Sequence, residues 1–103
     1  MEFTEKDNGN TVRLKNEEYS ISVRLIENAT TGYLWEVKNF PADSKLTDSD
    51  ATEPKGKMAG AASVRIFSFS LGKQAKGKLK LQNCRPWDTN DCIDSFELEF
   101  VRE

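Results

Sequence analysis

The chain contains no histidine. That absence excludes Ser-His-Asp and Cys-His nucleophile systems and histidine-rich zinc sites. It also leaves no side chain whose unperturbed pKa lies between about 5 and 8. Cysteine is scarce: only Cys84 and Cys92 are present. Their spacing is too wide for a CxxC redox or zinc motif. They either pair, closing a surface loop and stabilising the fold by ~2–3 kcal/mol, or stay reduced as in a cytosolic protein. The sequence leaves both open. No apolar run approaches the ~18 residues of a membrane span, so no membrane partner is expected. The first ten residues, MEFTEKDNGN, are polar and show no signal peptide. Localisation stays open: cytoplasmic if the chain is full-length, lysosomal, phagosomal or secreted if a signal peptide has been removed. A large charge of one sign is missing too. The net charge is −2 and the pI about 5.3, which argues against nucleic acid as a partner. The acidic stretch Asp43 to Glu53 holds no DxDxDG calcium loop, and no phosphate-loop motif occurs. No metal or cofactor is expected, and no catalytic residue.

What is present suits one small domain over residues 1–103, with 1–10 expected as a flexible N-terminal segment. Of the 103 residues, 37% are hydrophobic, enough for one modest core. The apolar pattern has period two. Tyr19, Ile21, Val23 and Leu25 alternate with polar residues, as do Tyr33, Trp35 and Val37 in part. Arg65 to Phe69, Leu79 to Leu81 and Phe96 to Phe100 follow the same spacing, and Thr11 to Leu14 adds a short first strand. Gly72 to Gly77 reads as a connection between strands, and Asn39 to Gly60 as the least regular region. The expected fold is an all-β, immunoglobulin-like antiparallel sandwich of about seven or eight strands, with Trp35 at the centre of its core.

Three segments break the alternation. Asn28-Ala29-Thr30-Thr31-Gly32 lies between two strands, and as a plain hairpin loop it would use Gly32 for a positive φ. Lys55 to Ser63, including Met58, Ala59, Gly60, Ala61 and Ala62, is built of small residues. It is either a simple connection or a loop whose backbone approaches another surface closely. Arg85-Pro86-Trp87 precedes a polar run, so Trp87 is expected on a loop. It either folds back on the sandwich edge or serves as an exposed binding anchor.

Together these segments resemble the chagasin-type inhibitors of papain-family cysteine proteases. That family carries an NPTTG[FY]xW motif, a GxGG loop and an RPW motif in this order. Here they read Asn28 to Trp35 (NATTGYLW), Ala59 to Ala62 (AGAA) and Arg85 to Trp87. Ala29 replaces the motif's proline, and the middle motif is degenerate. The two cysteines are not part of the family pattern; if paired, they would constrain the RPW loop. The resemblance implies a reversible, tight-binding inhibitor, monomeric when free. Its three loops would occlude the cleft of a cathepsin L-type protease. Asn28 to Tyr33, Met58 to Ala62 and Arg85 to Trp87 would then be the protease-binding residues, with Thr30 and Thr31 nearest the catalytic cysteine. The competing expectation is an immunoglobulin-like module that binds another protein without inhibiting a protease.

Overall fold

The computed structural model describes residues 1–27, 32–52 and 63–102. These hold seven strands: β1 (Glu2–Thr4), β2 (Asn10–Leu14), β3 (Tyr19–Glu27), β4 (Leu34–Asn39), β5 (Ala42–Thr52), β6 (Ser63–Arg85) and β7 (Asp88–Arg102). A single 3-10 turn, Glu5–Asp7, joins β1 to β2. The all-β class matches the period-two reading of the sequence.

β6 organises the molecule. It runs for 23 residues. Its first part, Ser63 to Leu71, pairs antiparallel with β3 on one side and β5 on the other. Its last part, Gly77 to Arg85, pairs antiparallel with β7 and β4. The expected connection at Gly72 to Gly77 is therefore a correction: it is continuous strand, at the point where β6 changes neighbours. Gly77 has a φ of +108°, a backbone state that a side chain with a Cβ rarely adopts. Arg102 braces this region, since its guanidinium donates to the carbonyls of Gly72 and Ala75 and to those of Lys15 and Glu17.

The sheet is thereby curled, and its two groups of strands share one core. Ile21, Val23 and Leu25 of β3 and Phe67, Phe69 and Leu71 of β6 come from one group. Trp35 of β4, Leu79 and Leu81 of β6, Phe96, Leu98 and Phe100 of β7 and Leu14 of β2 come from the other. Each fully buried aliphatic or aromatic side chain contributes about 1.5–3 kcal/mol by leaving water. Trp35 belongs to this core, as its place in the alternation indicates, and is 6% exposed.

Three further expectations need correction. The ladders are not all antiparallel, because β1 pairs with β3 and β2 with β7 in parallel. Residues 1–10 are not a loose segment. β1 adds to the edge of β3, Phe3 meets Phe100 edge-on at 6.4 Å, and Thr4 and Asp7 cap the 3-10 turn reciprocally. Finally, much of the region read as irregular is β5. Its polar composition hid it: an edge strand can be held by its backbone ladder while most of its side chains stay in water.

Candidate functional site

The curl of the sheet brings distant strand ends together. Glu27 closes β3 and pairs with Ser63 at the start of β6. Trp35, near the start of β4, pairs with Asn83 near the end of β6. The Glu27 carboxylate bridges the two: it accepts the Trp35 backbone N–H at 2.8 Å and pairs with Arg65 Nη2 at 2.9 Å. Both ends of β6 therefore lie close to the end of β3. The chain flanking 28–31, the chain flanking 53–62 and the 85–88 turn all leave from this end.

Gly32 has a φ of +82°, which the left-handed region reserves largely for glycine. A Cβ there would stand 3.0 Å from the Trp87 ring. The first and third motif segments thus touch through a glycine and an indole. Trp87 sits in the turn between β6 and β7 and is 73% exposed, far more than is usual for tryptophan. This bears out its placement on a loop.

Arg85 lies inside this cluster. Its guanidinium carbon is 4.8 Å from the centre of the Tyr33 ring and 5.9 Å from that of Trp87, within cation–π range. Its Nη1 pairs with Asp91 Oδ2 at 3.1 Å. The other carboxylate oxygen of Asp91 accepts the Tyr33 hydroxyl at 2.8 Å. This bond is the leading cause of a raised Tyr33 pKa, followed by desolvation; the nearby Arg85 charge opposes the shift. Cys84 and Cys92 face each other across β6 and β7 and are joined by a disulfide, which closes the base of the turn.

Gly32, Tyr33, Arg85, Pro86 and Trp87 are thus brought to one end of the molecule. Asn28, Ala29, Thr30, Thr31, Met58, Ala59, Gly60, Ala61 and Ala62 lie outside the described residues. Sequence reasoning missed Glu27, Arg65 and Asp91. Glu27 carried a legible signal: it continues the inward series Ile21, Val23, Leu25 at spacing two, where a charge needs a partner. Asp91 carried none, lying in a polar run that reads as a loop tip. Among the described residues, no group of three or more His, Cys, Asp or Glu could hold a metal ion. No helix among them is long and apolar enough to cross a membrane.

The family model of the chagasin family peptidase inhibitor I42 matches residues 13–100. The cysteine protease inhibitor EhICP2 from Entamoeba histolytica superposes with a TM-score of 0.75 at 25% identity, covering 99% of this chain and 94% of that one. The solution structure of amebosin gives 0.73 at 24% identity, covering 99% and 96%. PbICP-C, solved in complex with falcipain-2, gives 0.60 at 19% identity, covering 100% and 90%. No curated protein matches significantly.

Proposed function

Since the chain belongs to the chagasin family of peptidase inhibitors, we propose that it is a reversible, tight-binding inhibitor of papain-like cysteine proteases and not an enzyme. The observation that carries this reading is the Gly32–Trp87 contact. It joins two segments from distant parts of the sequence into one exposed feature beside the flanks of the third.

The binding surface is built from Asn28 to Tyr33, Met58 to Ala62 and Arg85 to Trp87. Its size should be about 1,600 Å² in total, standard for protease inhibitors. Trp87 is the anchor: a large apolar side chain held in water gains most when a partner covers it. Pro86 and the disulfide stiffen the turn beneath it, which lowers the entropy lost on binding. Arg85 supports this anchor from within the chain, since its charge already faces Asp91.

Inhibition also requires slow cleavage. The chain between Glu27 and Trp35 covers the catalytic thiolate without offering a peptide bond in attack geometry. A misplacement of ~1 Å suffices to slow acyl transfer ~100-fold. Titration of active papain with the purified chain tests the reading. Stoichiometric loss of activity is the expected result. Full papain activity at micromolar inhibitor would leave the non-inhibitory binding module as the better account.

A further inference from the structure

Glu27, the last residue of β3, is a carboxylate with 1% exposure. Its oxygens accept the Trp35 backbone N–H at 2.8 Å, Arg65 Nη2 at 2.9 Å and Arg65 Nε at 3.2 Å. Its carbonyl accepts the Ser63 hydroxyl at 2.9 Å, and the preceding carbonyl, of Ile26, accepts the Trp35 indole N–H at 2.9 Å. Glu27 is the last described residue before 28–31, Trp35 lies just after that segment, and Ser63 and Arg65 follow 53–62. One buried carboxylate thus fixes both sides of the first motif segment against the exit of the second.

An ion pair between a buried carboxylate and a partly buried guanidinium is a poor device for stability alone. Desolvation offsets much of its attraction, and apolar residues of similar volume often do as well. What apolar packing lacks is direction. A carboxylate facing a guanidinium fork and a backbone N–H sets distances and angles together.

Resting on the inhibitor reading above, we infer that the Glu27–Arg65 pair is the positioning element that keeps this chain an inhibitor instead of a substrate. It holds the flanks of the segment between Glu27 and Trp35 so that no peptide bond there aligns with the protease thiolate. Once the brace is loosened, ordinary cleavage becomes accessible. The thiolate attacks a backbone carbonyl carbon, and the C–N bond breaks. The amine leaves with a proton from the protease, and water then releases the acyl group as a carboxylate. Two fragments form, together heavier than the intact chain by one water.

The test uses the full chain and active papain. A paired replacement, Glu27→Leu with Arg65→Met, removes both charges and leaves neither buried alone. Arg65→Lys keeps the charge and loses the fork. For the paired replacement, the melting transition should fall by several degrees while the chain stays folded, because Glu27→Leu also takes the acceptor from the Trp35 backbone N–H. Its inhibition constant should rise ~10-fold or more, and intact-mass analysis should find cutting between Glu27 and Trp35. Arg65→Lys should fall between it and wild type on both readouts. A folded paired variant that inhibits as tightly as wild type and stays uncut overturns the inference. If the pair does not fold, a folded Arg65→Lys with wild-type inhibition and no cutting overturns it equally. Wild-type protein that leaves papain active overturns the inhibitor reading itself, and this inference with it.

Discussion

The phenol of Tyr33 donates to the carboxylate of Asp91 at 2.8 Å, across 58 positions of sequence. Tyr33 belongs to the first motif, and Asp91 lies on β7 just past the turn that carries the third. The same carboxylate holds Arg85, whose guanidinium lies against the Tyr33 ring. Two motifs legible as separate strings are therefore one hydrogen-bonded unit.

Asp91→Asn should loosen this unit without emptying it. Arg85 and Asp91 are each more than a third exposed, so their ion pair is worth no more than about 1 kcal/mol. The melting temperature should fall by only a few degrees. Inhibition should weaken more visibly, because Arg85 no longer has a fixed partner beneath Trp87. Calorimetry and a papain titration on the same preparation check both.

The pH response follows from the same bond. Tyr33 has its pKa raised, first by the hydrogen bond to Asp91 and then by desolvation. The folded state thus favours the neutral phenol. Its contribution is fully present below the ordinary tyrosine value near 10 and is lost as pH rises through the raised folded value. Tyrosinate absorbance, as the difference between wild type and Tyr33→Phe, should give a midpoint above the ordinary one. Asp91→Asn should bring that midpoint down. Between pH 7 and 5 the chain has no histidine to titrate, so pH dependence of inhibition there should come mainly from the protease.

Trp87→Ala should cost about 2 kcal/mol or more of binding and little stability, because the side chain is mostly in water before the partner arrives. An unchanged inhibition constant would remove Trp87 as the anchor.

Gly32→Ala should fail on two counts. A left-handed backbone costs a residue with a Cβ about 1–2 kcal/mol, and the new methyl would press on the Trp87 ring from 3.0 Å. Lower stability together with weaker inhibition is expected. A surface change toward the other end of β4, such as Lys38→Ala, should show neither.

Reduction of the Cys84–Cys92 bond releases a short loop, at a cost of ~2–3 kcal/mol in the chain-entropy model. Alkylation should add mass only after reduction. The Cys84→Ser, Cys92→Ser variant should melt lower and bind papain more weakly, since the turn bearing Trp87 loses its closed base.

By itself the sequence determined the all-β class, most of the core and the three segments that break the pattern. Period-two alternation is local, and it needs no knowledge of partners: Ile21, Val23, Leu25, Phe96, Leu98 and Phe100 all turn inward as their spacing requires. Only the tertiary structure decided what those segments share. That β6 continues through Gly72 to Gly77, that β1 and β2 add in parallel, and that Glu27 meets Arg65 and Tyr33 meets Asp91 are all pairings between distant positions. A polar residue in a sequence advertises its need for a partner but not the partner's address. The address is set by the curl of the sheet, which forms only when both groups of strands bury their apolar faces against each other.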